Sequence, residues 1–222
     1  VAIVGPSAGG KSTIFRLLQG LLKPSAGFIE IDGTNLASLD LDHYRSQVAL
    51  VNANNAFFTG TIEENIQRVR TNISTREMEV LLEDSGLDEL LRNLPKGIST
   101  GIDQTASSLS KSYKIVVALA RALAADPNLL LLDDCFNNLD KYGQVHLKRN
   151  LARIARGRTV IATIQDMRFI NQFDWIIVLE QGQVVGQGGH SELMKNCTHY
   201  NKLWELEDEI AVESSSAKFE LS

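Results

Sequence analysis

"VAIVGPSAGGKST", residues Val1–Thr13, decides the fold. Its first four residues are apolar and mostly β-branched, and they read as a short buried strand over Val1–Val4. After a glycine-rich loop, Ile14, Leu17, Leu18 and Leu21 recur at helical spacing and predict a helix over Thr13–Leu22. Between strand and helix, Gly5, Gly10, Lys11 and Ser12 satisfy the pattern G-x-x-x-x-G-K-[ST]. Glycines let backbone N–H groups wrap phosphates without side-chain interference, the helix start adds partial positive charge, and the lysine neutralises the outer phosphates. Gly5, Pro6, Ser7, Ala8, Gly9, Gly10, Lys11, Ser12 and Thr13 are therefore the expected cradle of a nucleoside triphosphate, with the Ser12 hydroxyl on Mg²⁺. A turn that merely caps a helix is the alternative, and the strand and helix on either side count against it.

Phosphoryl transfer also needs a carboxylate near the metal, at the end of a neighbouring buried strand. "LLLLDD" supplies Asp133 and Asp134, with Asp133 as the expected Mg²⁺ partner. The strand "LLLLD" (Leu129–Asp133) is preceded by a helix over Ser110–Ala125, stopped by "DPN". "GFIEIDG" (Gly27–Gly33) alternates and predicts an antiparallel edge strand, and "QVALV" (Gln47–Val51) a buried one. From Phe57 to about Leu94 the texture turns helical, over Ile62–Arg68 and Ser74–Ser85, the second with Ser74 and Glu77 in capping-box spacing. The α/β pattern then resumes with a helix over Lys141–Arg156, the strand "TVIATI", the pair "WIIVLE" and "QVVGQG" around the turn "QG", and a last helix over Tyr200–Asp208.

The chain has 222 residues, enough for one large domain or one with an inserted lobe. Its net charge of -5 argues against a broad nucleic-acid footprint. The longest apolar stretches, Ile115–Ala120 and Leu129–Leu132, fall far short of the ~20 residues that a bilayer-spanning helix needs. Cys135 and Cys197 form no CxxC pair, so a reducing cytosolic setting is the default. The abrupt apolar start is expected of a fragment, and the Ser-rich end of a disordered tail over 209–222.

On these residues the chain resembles the nucleotide-binding domains of ABC exporters, from Val1 to about Asp208. "GTIEENI" (Gly60–Ile66) is similar to the exporter segment after the family's glutamine loop, and "LPKG" (Leu94–Gly97) to the lead-in to its signature. "ALARALAADPNLLLLDD" resembles the signature helix running into Walker B, and "IIVLEQGQVVGQGGHSEL" (Ile176–Leu193) the closing block. The resemblance implies an α/β P-loop NTPase. Its RecA-like core would cover about 1–52 and 110–208, with a helical subdomain over about 53–109 and a small antiparallel β region. It also implies Mg²⁺ and ATP, a second nucleotide-binding domain closing head to tail, and a transmembrane domain on whose cytoplasmic face the pair sits. The family's adenine-stacking aromatic would precede Val1.

Against that family pattern the handling residues change. The Walker B glutamate is matched by Asp134, a methylene shorter; a displacement of about 1 Å at such a position can cost ~10²-fold in rate. The switch histidine is matched by Gln165, which can hydrogen-bond a γ-phosphate but cannot be cationic. The glutamine-loop position is Ala53, where Asn52 or Asn54 could partly substitute. The signature reads "LSKSY": Ser110 is kept while Lys111 and Ser112 replace the two glycines that permit close approach to a partner's γ-phosphate, although the Lys111 ammonium could instead strengthen binding. Asn137 and Asn138 replace Ser-Ala, Asp140 is kept, and Ala8 stands for a glycine. Together these imply ATP binding retained and hydrolysis weak or lost, with catalytic-position residues Asp134 and Gln165. A slow but working exporter ATPase is the rival, and an ABC ATPase acting on DNA or ribosomes a more distant one. The histidines, His43, His146, His190 and His199, show no metal-ligand spacing, His190 reads as a structural loop residue, Cys135 as a buried filler, and Trp175 and Trp204 as core and packing residues.

Overall fold

The structure, a computed structural model, describes residues 1–206. The end of the expected last helix, 207–208, and the expected tail over 209–222 lie outside the described residues.

Along the chain, β1 (Ala2–Val4) leads through the glycine loop to α1 (Lys11–Leu18), followed by the hairpin β2 (Glu30–Ile31) and β3 (Thr34–Asn35), α2 (Leu41–Ser46) and β4 (Val48–Asn52). The helical lobe then runs β5 (Gly60–Thr61), α3 (Ile62–Gln67), α4 (Thr75–Ser85), α5 (Leu87–Arg92) and β6 (Gly101–Ile102). After it come α6 (Lys111–Ala124), β7 (Leu129–Asp133), α7 (Cys135–Asn138), α8 (Lys141–Ile154) and β8 (Thr159–Thr163), then β9 (Ile176–Glu180), β10 (Gln183–Gly188) and α9 (His190–Asn196). Residues 198–206 are again helical.

The described residues divide into two compact units, 1–11 with 163–206, and Ser12–Ala162. In the first, β1 runs parallel to β9, with Ala2 opposite Ile176 and Val4 opposite Val178, and β10 pairs antiparallel on the other side of β9. The β9–β10 turn takes Gln181 and Gly182 at φ 49° and 77°, a left-handed pair whose twist matches that of the flanking strands.

In the second unit, β8, β7 and β4 are parallel with β7 between the other two. Leu130, Leu131 and Leu132 are buried, as a strand covered on both faces requires. The register sets Asn52 beside Asp133 at the ends of β4 and β7. In the lobe, α3 and α4 each open on a capping box, Thr61 with Glu64 and Ser74 with Glu77, and α4 ends on Gly86 at φ 78°. α4 packs on α6 and α8, and α6 is buried from Ile115 to Ala120. Asp126 at φ 48°, followed by a proline, stops α6 where the sequence says it should.

Several expectations need correction. The first helix starts at Lys11 and ends at Leu18, because the chain turns at Gly20 (φ 65°); Leu21 is 58% exposed, and Phe15 supplies the buried anchor instead. "GFIEIDG" contributes only β2, paired with β3 in a separate two-stranded sheet across Asp32–Gly33, and Phe28 is exposed. Trp175 is 45% exposed and is not a core residue. His190 begins α9 and is not in a loop; its Nδ1 lies 2.7 Å from the Tyr200 hydroxyl, with the Trp204 ring beside it at 4.9 Å. The helices α2 and α5, six residues each, are too short for an apolar period to show in the sequence.

Candidate functional site

The glycine loop is shaped by β9. Gly5 has φ 146° and sits so close beneath the Leu179 carbonyl that a Cβ there would stand 2.1 Å from its oxygen. Gly10 also has a positive φ, 95°, and a Cβ on Gly9 would meet the Pro6 carbonyl oxygen at 3.0 Å. The Gly9 N–H donates to that carbonyl at 3.1 Å, closing the crown of the loop, from which Pro6, Ser7 and Ala8 are exposed. Ala8 adopts φ 63°, a conformation natural for glycine and strained for alanine.

Lys11 is buried, and its ammonium donates to the Gly5 and Pro6 carbonyl oxygens at 2.7 Å each, so the charge is held inside the loop rather than outside it. Ser12 and Thr13 follow on the first turn of α1 with both side chains exposed.

Gln165 belongs to the same unit. The Ile164 N–H donates to the Ile3 carbonyl at 3.0 Å, which places the chain after β8 beside the end of β1. A cleft of about 180 Å³ is consequently lined by Gly5, Pro6, Ser7 and Gln165 together, along with Leu203 and Leu206. Next to Gln165, the buried Asp166 caps the following turn and is held by the Arg168 guanidinium.

The acidic pair lies in the other unit. Asp133 closes β7 half-buried beside Asn52. Asp134 has φ 53° and ψ 30°, a left-handed conformation that aspartate tolerates better than most residues. Its Oδ1 accepts from Asn137 Nδ2 at 2.8 Å and its Oδ2 from Asn138 Nδ2 at 3.2 Å. Cys135 is fully buried, with its thiol donating to the Val51 carbonyl at 3.3 Å; burial, reinforced by the nearby Asp133 and Asp134 charges, pushes its pKa well above the usual thiol range. Ala53, directly after β4, offers no polar side chain. The Asn52 carboxamide is already engaged, accepting from the Asn54 N–H at 2.8 Å.

The sequence profile of the ABC transporter family matches residues 1–137. The chain belongs to the ABC transporter family. It is 34% identical over 209 residues to YfiC of Bacillus subtilis strain 168, described as an uncharacterized ABC transporter ATP-binding protein; the match covers 94% of this chain and 35% of that protein. P-glycoprotein 14 of Caenorhabditis elegans is 35% identical over 208 residues, 94% of this chain and 16% of that one. Among solved structures, a bacterial Atm1-family ABC exporter with ATP bound superposes with a TM-score of 0.87 at 32% identity, over 93% of this chain and 36% of the exporter chain. The chain thus spans about a third or less of the length of these relatives, and it is an ABC transporter ATP-binding domain of exporter type with the α/β P-loop NTPase fold.

Within that ABC domain the segment "LSKSY" leads into α6. The Ser110 hydroxyl caps the helix, accepting from the Tyr113 N–H at 3.3 Å. Lys111 is exposed, whereas Ser112 is only 6% exposed and its hydroxyl turns inward to accept from the Asp140 N–H at 3.3 Å. Of these two side chains, only that of Lys111 projects into solvent.

The sequence pointed to the loop, Gln165 and the acidic pair, and the first two share a cleft. It did not point to Leu179, whose part is played by a backbone carbonyl and so leaves no side-chain signal. Nor did it reveal that Asn137 and Asn138 turn onto Asp134, although their spacing of three and four residues carries that possibility for any helical turn.

Proposed function

We infer that this domain binds Mg·ATP through Gly5–Thr13 and Asp133, closes against a second nucleotide-binding domain, and hydrolyses ATP weakly or not at all, so that its work in export is gating or drive by closure. One contrast carries this reading. The phosphate loop is complete, with Gly5 pinned under Leu179 and Lys11 folded inside it, while the side chains at the two water-handling positions are the short Asp134 and the non-titrating Gln165.

The fit to ATP rests on the loop: three glycines at 5, 9 and 10 leave backbone where a side chain would stand, and the Lys11 ammonium can pass from carbonyl oxygens to phosphate oxygens without leaving its burial site. The Ser12 hydroxyl and the Asp133 carboxylate are hard oxygen donors of the kind Mg²⁺ takes, and the ion would supply neutralisation of phosphate charge. Ser110 and Lys111 would face the partner domain's ATP. Lys111 would bring an ammonium where the family has a glycine, which favours holding nucleotide over releasing it. Gln165 would hydrogen-bond a terminal phosphate from the cleft that it shares with Gly5, without a proton to give.

The exporter relatives are far longer than this chain, which supports pairing with a transmembrane domain and a place at the cytoplasmic face of a membrane. Among the described residues no helix is long and apolar enough to cross a membrane.

ATP titration of the parent and of Lys11→Ala tests the binding half. The variant is expected to lose about tenfold or more in affinity, about 1.4 kcal/mol, and equal affinity would remove the phosphate-loop assignment.

A further inference from the structure

The Asp134 carboxylate is held from both sides by residues of the short helix that it begins. Asn137 donates to one oxygen at 2.8 Å; Asn138 donates to the other at 3.2 Å and also to the Asp134 carbonyl at 2.8 Å. The left-handed backbone at Asp134 is what turns its carboxylate back over α7. A four-residue helix cannot hold itself by its own ladder. Here side chains take over: the amides secure its start, Cys135 and Phe136 are buried, and beyond its end Asp140 is tied to Ser112 by its N–H and to the Gly143 N–H by its carboxylate, 2.8 Å.

We propose that Asn137 and Asn138 are positioning residues that hold the Asp134 carboxylate against α7, so that it is engaged by the side chains of that turn rather than aimed at an attacking water. This rests on the reading above, in which Asp134 stands where ATP hydrolysis would need a base. A base must present a free lone pair to the water proton at hydrogen-bond reach. A carboxylate has about four acceptor sites, so the two amide N–H bonds do not exhaust it; they fix where it points, and bonds to a charged acceptor are stronger than those between neutral groups. Three departures from the family pattern, Asp134, Asn137 and Asn138, are by this account one change: the shorter acid reaches the amides, and the amides retain it.

Side-chain amide NMR of the 222-residue chain tests the contact without ATP. The Asn137 and Asn138 signals are identified by their loss in Asn137→Ser and Asn138→Ala, and both are expected to move when Asp134→Asn removes the charge. If neither moves, the proposal is overturned. The functional arm uses a Gln165→His background, in which Asn137→Ser with Asn138→Ala is expected to raise kcat about tenfold or more at unchanged KM, with the gain abolished by adding Asp134→Asn. An unchanged kcat, or a gain that survives Asp134→Asn, overturns the proposal. The single substitutions carry the same test should the pair fail to fold, since each removes one of the two amide bonds to the carboxylate. Rapid turnover by the unmodified chain would overturn the proposed weak hydrolysis, whereas unmoved amide signals would overturn this proposal alone.

Discussion

Gly5 and Leu179 are in backbone contact: a single added Cβ on Gly5 would stand 2.1 Å from the Leu179 carbonyl oxygen, at a backbone φ of 146° that side chains rarely adopt. The start of the phosphate loop is therefore fixed by β9, an element more than 170 residues away in the sequence. Gly5→Ala is expected to cost at least about 2 kcal/mol in stability through combined overlap and strain, and to lose ATP binding. Urea denaturation with ATP titration of the same preparation checks both.

Ala8 gives the opposite expectation. It occupies φ 63° in the exposed crown of the loop, where an L-residue pays about 1 kcal/mol relative to its preferred regions. Ala8→Gly is expected to raise stability by about 0.5 kcal/mol after the extra freedom of glycine in the unfolded chain is deducted. A denaturation midpoint below that of the parent would show the loop to be relaxed with alanine.

Replacing Ser112 by glycine is expected to harm the domain. The Ser112 hydroxyl is buried and accepts from the Asp140 N–H, so Ser112→Gly leaves that donor without its acceptor and adds backbone freedom at the start of α6. The expected cost is about 1–2 kcal/mol. Thermal or chemical unfolding measures it, and Lys111→Gly, at an exposed position, serves as the comparison with a smaller effect.

Cys135 and Cys197 are both buried free thiols, and neither is expected to react with a thiol reagent until the domain unfolds. For Cys135 the sign of the pH effect follows from burial, which raises the folded-state pKa above the unfolded value of about 8.5. The folded chain keeps a proton that the unfolded chain releases, so this thiol contributes full stability below about pH 8.5 and progressively less as pH rises beyond it. Denaturation midpoints at neutral and alkaline pH are expected to diverge more for the parent than for Cys135→Ala.

Much of this was readable in the residues themselves. The strand "LLLLD", the helix from Ser110 and the capping box of Ser74 with Glu77 were legible because an apolar run, a period and a cap are local patterns, and each element falls within a residue or two of its expected bounds. Leu21 misled because its spacing is helical while Gly20, one residue before it, turns the chain. Phe28 and Trp175 are large and apolar yet exposed, a matter of what neighbours them in space rather than in sequence. At the site, the glycine loop between β1 and α1 was legible as a motif. The inward turn of Ser112 and the amides on Asp134 depend on side-chain direction at a helix start, which one-dimensional spacing does not fix.

The central claim is that this domain holds ATP and turns it over poorly because of Asp134 and Gln165. Equilibrium ATP affinity and the single-turnover hydrolysis rate, measured together on the parent and on Asp134→Glu with Gln165→His, test it most directly. The account predicts matching affinities and a rate gain of about 10²-fold or more in the double variant over a near-background parent. A parent that binds ATP and hydrolyses it as fast as the double variant would contradict the account.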